Sequence, residues 1–416
     1  MLDLEYKYGR QIKTLKIQGD IEVDTILPNK IPQPKINFQQ QDISQILKLF
    51  INKLNKNISD IRVGIAINDK SRPVPYHMLM PPLVNALEVL GIPNASILFF
   101  IANGAHEQDP ESLENYFLKE YLNIYTFRQH NCLDEENLIN LGSTTRNTPV
   151  FINKEFFTCD LKIAIGNIEP HHFAGFSGGY KTVAIGLAGK RTITANHKLL
   201  LEPGSEPANF YNNPLRQDIE EIGKKTQLHF CLNCIMDKDK TIMHTFFDTP
   251  SRVMDLGIPI VKSMYAVNMK CEYDVVIVSA GGYPKDINLY QAQKALTNAS
   301  QICAKNGTIL LLAECIEKIG NIIFEEYIQQ FSDPVDVIKD FTVSPFQLGR
   351  HKAFLIAKVL ENHHIAIYSS INPEIIEKLL LYPVHDPELF IKGIAKPKTK
   401  IAFIPEGEIT IPKCHE

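Results

Sequence analysis

Four stretches of the chain share one pattern: a run of apolar, β-rich residues, then a loop dense in polar residues with glycine or proline, often followed by apolar positions in helical spacing. They are IRVGIAI before NDKSRPVP, ASILFFIA before NGAHEQDP, LKIAIGN before IEPHHFAGFSGGYK, and YDVVIVSA before GGYPKDINLY. Runs that are apolar at nearly every position suit strands buried on both faces, and helical stretches such as MLMPPLVNALEVLG and ESLENYFLKEYL supply the covering layers. The pattern predicts an α/β protein of largely parallel sheets flanked by helices. In such sheets ligands bind beyond the carboxyl ends of the strands, which is where each of these polar loops begins.

A length of 416 residues at 44% hydrophobic content is enough for two cores. The strand and helix patterns weaken between about 255 and 272, before KCEYDVVIVSAGGYP opens a fresh βα unit. The expected division is therefore residues 1–262 and 263–416, with the active site between the two domains. GTILLLAECIEK and HHIAIYSSIN continue the alternation towards a closing strand near KIAFIPEGE. There is no internal repeat, low-complexity tract or long linker.

Composition narrows the partners. The formal charge is −4 and there is no basic stripe, which argues against nucleic acid. The first residues, MLDLEYKYGRQIKTLKIQGD, lack a signal-peptide pattern and no later apolar run is long enough to span a bilayer, so a cytoplasmic protein with no membrane partner is expected. Eight cysteines at 132, 159, 231, 234, 271, 303, 315 and 414 are scattered, mostly in apolar stretches, which suits reduced core thiols. Cys231 and Cys234 sit in LHFCLNCIM, which reads as a buried strand, and no second CxxC stands nearby to complete a zinc site.

The densest candidate chemistry runs from Pro170 to His197, PHHFAGFSGGYKTVAIGLAGKRTITANH. Gly175, Gly178 and Gly179 permit positive φ, so the loop's N–H groups with the Ser177 hydroxyl form a candidate anion cradle, although such a turn equally serves chain reversal. Lys181 suits phosphate donation or, if desolvated, use of its amine as a nucleophile or covalent anchor. His171 and His172 are adjacent, and in an extended loop their side chains diverge, so one of them faces any given site. His197, read as lying near the start of the helical stretch HKLLLEP, is placed to project a metal ligand. His106 ends the strand ASILFFIA, matching the topological position of His171, so two imidazoles can approach one bound molecule from separate strand ends. Two bases flanking one carbon is what a racemase requires. Asp69, Ser71 and Arg72 follow the first strand, and Arg72 suits bidentate binding of a carboxylate or phosphate, with an N-cap and a salt bridge as the alternative. On a helix after GGYPKDINL, Tyr290 and Gln291 share a face with Lys294, which is either a site or a solvated surface. The remaining histidines have no context that lifts them above satisfied structural residues.

Taken together, NDKSRPVP, NGAHEQ, LGSTTRNTPV, PHHFAGFSGGYK with its downstream ANH, and GGYPKDINLYQAQK resemble the lactate racemase family in order and approximate spacing, over about residues 10 to 405. The resemblance implies a racemase or epimerase of a 2-hydroxy acid that works by reversible hydride transfer through a bound 2-keto acid. It also implies a nickel-pincer nucleotide, a Ni(II) pyridinium-3,5-bisthiocarboxylic acid mononucleotide, with Lys181 as its covalent anchor and His197 as nickel ligand. By the same resemblance His106 and His171 are paired general bases, while Arg72, Tyr290, Gln291 and Lys294 surround the substrate. Asp69, Ser71, Ser177, Gly178 and Gly179 are then placed to hold the cofactor. The 1–262 domain becomes the cofactor-binding and catalytic one, and 263–416 contributes substrate-binding residues. Cofactor-biosynthesis enzymes are the implied maturation partners.

The chain departs from the family pattern at Glu107 (Arg expected), Tyr180 (often Pro), Ile185 (usually Pro) and Phe354 (where the family has Trp). These leave open whether the acid is lactate, malate, an aromatic 2-hydroxy acid or a sugar acid. A nicotinamide-dependent 2-hydroxyacid dehydrogenase is the main alternative, disfavoured because no GxGxxG follows any strand. A non-catalytic nucleotide- or metal-binding module is disfavoured because both candidate bases are kept.

Overall fold

The computed structural model describes residues 2–19, 21–29, 40–69, 72, 74–106, 119–237, 240–269 and 272–414. It is an α/β protein whose chain divides into two compact units, one of residues 31–261 and one of residues 1–30 with 262–416.

The 31–261 unit is built on a six-stranded sheet in the order Ile242–Asp248, Phe230–Met236, Leu161–Asn167, Val63–Asn68, Ile97–Ala102, Thr126–Gln129. All neighbours are parallel except Ile242–Asp248, which runs antiparallel at one edge. The earliest strand of this sheet in the chain, Val63–Asn68, lies in the middle, and later strands are laid to one side and then the other. The order reverses between Val63–Asn68 and Leu161–Asn167, the position where open α/β sheets form a ligand crevice. Continuous apolar runs are needed because both faces are covered. Ile65, Phe99, Ile163 and Leu232 pack with Leu79, Leu83 and Leu87 of the Tyr76–Val89 helix and with Ile43 and Leu47 of the Gln40–Ile51 helix. Phe100, pointing the other way, meets Phe156 edge-on at 5.4 Å.

Two histidines in this unit are structural. His130 is buried and places its Nε2 2.9 Å from the Ala188 carbonyl. His229 accepts the Lys162 N–H on its Nδ1 at 3.0 Å and lies against the Phe50 ring, and burial, with Lys162 nearby, pushes its pKa down to about 4. Protonation would put a hydrogen on the nitrogen that must accept one. Because the folded pKa lies below the unfolded value near 6.5, the unfolded chain binds the extra proton first, and stability falls as pH drops from about 6.5 towards 4. Thermal unfolding should show this acid slope in the wild type and a flatter one in His229→Asn, which keeps an acceptor and cannot titrate; equal slopes would remove His229 from the account.

The second unit is built on a six-stranded, wholly parallel sheet in the order Tyr382–Pro383, His364–Tyr368, Cys303–Leu312, Tyr273–Ser279, Ile401–Ile404, Val23–Thr25. In place of the single division expected near residue 262, the chain therefore contributes to this unit from both ends. The hairpin Leu2–Tyr8 and Gln11–Ile17 alternates apolar and polar positions, so it needs one covering face. Leu4, Tyr6, Tyr8, Leu15 and Ile17 find it against Ile277, Leu310 and Phe403. Nor is the 401–404 strand the last: Ile411–Cys414 follows and pairs in parallel with Ala266–Met269.

Cys132, Cys159, Cys231, Cys234, Cys303 and Cys315 are free and buried, as core thiols. Cys414 departs from that expectation, being disulfide-bonded. Among the described residues, no helix is long and apolar enough to cross a membrane.

Candidate active site

Three neighbouring strands of the 31–261 unit deliver the candidate residues to one edge of their sheet. Asp69 and Arg72 follow Val63–Asn68, His106 follows Ile97–Ala102, and His171 follows Leu161–Asn167. The strands leading to His106 and His171 flank the central one, so at the usual strand spacing the two loops start about 10 Å apart, room for a small acid between them.

Asp69, expected on the cofactor, has its Oδ2 2.7 Å from Nδ1 of His106. An ionised carboxylate only accepts, so Nδ1 carries the hydrogen, and in the neutral ring Nε2 presents a lone pair. The imidazole is 44% exposed and the carboxylate 15%, which leaves the ring reachable from solvent while its orienting partner is sheltered. Ser71 and Glu107 lie outside the described residues.

His171 is held in the opposite sense. Its Nδ1 accepts the Ala174 N–H at 3.2 Å, so the neutral ring carries its hydrogen on Nε2. The expected divergence of His171 and His172 does not occur: their rings stack at 4.6 Å with 23° between planes. The strand Pro170–His171 is only two residues long and His172 already belongs to the turn, so strand alternation does not extend to it. Phe173 joins the cluster, its ring 4.7 Å from His171 and 5.3 Å from His197 between centroids.

His197 sits in the last turn of the Lys190–Lys198 helix rather than at the start of a helical stretch. Gly189 caps that helix eight residues earlier, and Leu199–Leu201 continues only as a single 3-10 turn. Lys181, half-buried, opens the short helix Lys181–Ala184 directly after the glycine loop.

The loop's own donors are largely engaged with protein. The Ser177 hydroxyl donates to the Asn167 carbonyl at 2.9 Å, the Ser177 N–H to Glu169 at 2.9 Å, and the Gly179 N–H to Asn233 Oδ1 at 2.8 Å. Behind the loop lies Arg216, fully buried, which donates to the carbonyls of Phe176 at 2.7 Å and Gly178 at 3.1 Å and pairs with Glu220 at 2.6 Å. Gly178 and Gly179 have φ of +84° and +59°, and a Cβ on Gly179 would stand 2.7 Å from Met254 Cγ. Here the glycines serve a tight turn that presents Lys181, and only glycine fits.

In the second unit, Tyr290 and Gln291 belong to the helix Leu289–Ala292, capped by Asn288, and Lys294 starts the helix Lys294–Ser300. Lys294 is nearly buried and its Nζ lies 2.9 Å from Glu408 Oε1. The Lys352 ammonium lies 4.8 Å from the Tyr290 ring centre, and the buried His351 meets that ring edge-on at 6.0 Å. Phe354 stacks on Phe341 at 4.8 Å within this unit. Tyr180 is buried against Gly223.

Sequence reasoning missed Arg216, Asn233, Phe173, Glu408, His351 and Lys352. Phe173 lies inside the quoted motif, so a signal existed for it, and His351 and Lys352 stand just before the quoted Phe354. Arg216 and Asn233 lie in ordinary helix and strand patterns that give none.

Paired imidazoles and a lysine-bearing turn at the switch point of a doubly wound sheet define a class of α/β proteins built to handle a small molecule at strand ends. The lactate racemase N-terminal domain model matches residues 8–208 and the lactate racemase C-terminal domain model residues 268–411. The chain belongs to the lactate racemase family. It is 29% identical to the lactate racemase of Thermoanaerobacterium thermosaccharolyticum over 98% of both chains, and 30% identical to that of Lactiplantibacillus plantarum over 83% of both. The structure of the lactate racemase apoprotein from T. thermosaccharolyticum matches with a TM-score of 0.87 at 26% identity, covering 99% of this chain and all of that one.

Proposed function

We propose that this chain racemises a 2-hydroxy acid, lactate in the first instance. The observation that carries the reading is the pair His106 and His171 on strand ends that flank the central strand, with His106 held by Asp69. The hydrogen on the carbinol carbon is a poor acid beside an ionised carboxylate, so its departure as hydride is the easier route, and the histidines need only move the hydroxyl proton.

A nickel-pincer nucleotide fits the residues present. Lys181 offers an amine for a covalent tether, and His197 offers one imidazole to a metal. Among the described residues no three His, Cys, Asp or Glu side chains gather to hold a metal ion. When bound, this group supplies a hydride acceptor and donor at the substrate carbon. The chain does the rest. Nε2 of His106 takes the hydroxyl proton of one enantiomer, and Arg72, which follows the central strand of the same unit, binds the carboxylate. For the other enantiomer His171 serves as base, which requires its hydrogen on Nδ1 and therefore release of the Ala174 contact.

The test is protein co-produced with the cofactor-building enzymes. Expected are nickel, a nucleotide adduct by intact mass, and conversion of D-lactate to racemate with its C2 hydrogen kept in D2O. Wash-in of deuterium at C2 would replace hydride transfer by proton abstraction, and absence of adduct and nickel would remove the cofactor from the reading.

Asp69→Asn should lower kcat/KM about 100-fold. The amide can donate to Nδ1 and drive the hydrogen onto Nε2, which disables the base. Since enantiomers have equal free energy, the loss should be the same from D- and from L-lactate by chiral chromatography; an unchanged rate would free His106 from dependence on Asp69.

A further inference from the structure

We propose that Asp218 is a positioning residue that holds His197 for a metal through Asn196, an inference that rests on His197 being the nickel ligand of the proposed function. His197 lies in the last turn of the Lys190–Lys198 helix, and a ligand holds its ion only as firmly as the groups behind it hold the ligand. The start of that helix is tied to the chain before it. The Gly189 N–H donates to the Phe151 carbonyl and the Lys190 N–H to the Cys132 carbonyl, both at 2.9 Å, and the Thr192 hydroxyl accepts the Phe151 N–H at 2.8 Å. At the other end Asn196, the neighbour of His197, is fully buried and donates through Nδ2 to Asp218 Oδ2 at 2.8 Å and to the Leu215 carbonyl at 3.1 Å.

Asn196 Oδ1 finds no donor among the described residues, so this carboxamide is fixed through Nδ2. Asp218 is 1% exposed, and its other oxygen, Oδ1, accepts the Thr144 hydroxyl at 2.6 Å. The same hydroxyl accepts the Thr148 N–H at 3.1 Å, so its one hydrogen is left for the carboxylate. A carboxylate in this place costs more desolvation than an amide or an apolar group would. What it provides in return is an acceptor for each of two donors, where an amide has one oxygen to offer.

The helix that bears Asp218, Pro214–Lys225, also bears Arg216, whose guanidinium holds the turn before Lys181. One element therefore braces both the turn of the tether and the helix of the metal ligand. It is clamped in turn by the hairpin of Leu138–Ser143 and Pro149–Asn153, with Thr144 on Asp218 and the Thr145 N–H and hydroxyl on Glu221 at 2.8 Å and 2.7 Å. The segment LGSTTRNTPV thereby acquires a task, which is to seat the carboxylate that seats Asn196. Loss of Asp218 loosens the His197 end of the Lys190–Lys198 helix and leaves the bonds around Lys181 in place, so the two halves of cofactor loading come apart.

The experiment uses holoprotein co-produced with the cofactor-building enzymes, with the adduct read by intact mass, nickel by its rate of release to EDTA, and the fold by thermal unfolding. Asp218→Asn should carry the Lys181 adduct as wild type does and release nickel about tenfold faster or more. Thr144→Val, which removes one donor and keeps the shape, should move release in the same direction. Thr144→Ser, which keeps the hydroxyl, should release nickel at the wild-type rate. A purely structural role would lower adduct, nickel and melting temperature together; that result, or wild-type release from Asp218→Asn, overturns the proposal. Should Asp218→Asn fail to fold, equal release from Thr144→Val and Thr144→Ser overturns it instead. His197→Ala separates the two layers. Rapid nickel loss in that variant with unmoved release in Asp218→Asn sinks Asp218 alone, whereas nickel held by His197→Ala as firmly as by wild type removes His197 from the metal and the proposal with it.

Discussion

Lys181→Ala protein, made alongside the cofactor-building enzymes, should carry no nucleotide adduct and no nickel, and should not racemise lactate. Its fold should be intact. Lys181 is half-buried at the start of a four-residue helix, and the turn that places it is secured by Asn167, Glu169, Asn233 and Arg216, none of which needs the lysine side chain. Those bonds survive the change, so the variant is expected to stay folded. Intact mass read beside thermal unfolding separates loss of the tether from loss of structure. A Lys181→Ala protein that still holds the adduct would move the anchor elsewhere, and one that unfolds would make the lysine a structural residue.

Arg216→Met is expected to do the reverse, harming the fold first. The guanidinium is completely buried, and its loss leaves the Glu220 carboxylate enclosed without its cation and the Phe176 and Gly178 carbonyls without a donor. Breaking a buried pair from one side costs about 3–5 kcal/mol. For a unit of this size that is a fall in melting temperature of about 10 °C. Arg216→Met with Glu220→Leu should recover part of the loss, because the stranded charge is gone, yet it should still load cofactor poorly because the turn before Lys181 has lost its brace. Calorimetry of the single and double variants tests the first point and adduct mass the second; full loading in the double variant would show that Arg216 is needed for folding alone.

The parallel strands were legible because a strand covered on both faces has to be apolar throughout, as in ILFFIA and LKIAIGN. The loops after them were legible because polar residues and glycine crowd where such strands stop. What escaped was anything decided by pairing across the chain. Nothing in LDLEYKY says that its apolar face is to meet Phe403, almost four hundred residues on. Nothing around Asp69 says that its carboxylate comes within 2.7 Å of His106 Nδ1. His172 escaped for a local reason, since alternation was applied to a strand that ends one residue earlier. Arg216 and Glu220 stand four residues apart on one helix, a spacing that exposed pairs share, and their burial behind the loop shows only in the fold.

The contribution of both chain ends to one unit sets an order of assembly. On the ribosome, residues 31–261 emerge whole and can close their sheet at once. The hairpin and the Val23–Thr25 strand, made earlier, must wait until Ile401–Ile404 has been synthesised before that strand has its edge partner. During that interval Leu4, Tyr6, Tyr8, Leu15 and Ile17 lack the apolar face that covers them in the finished protein. Residues made before the 31–261 unit are thus among the last to be buried, and they form a segment on which a chaperone would have a long claim.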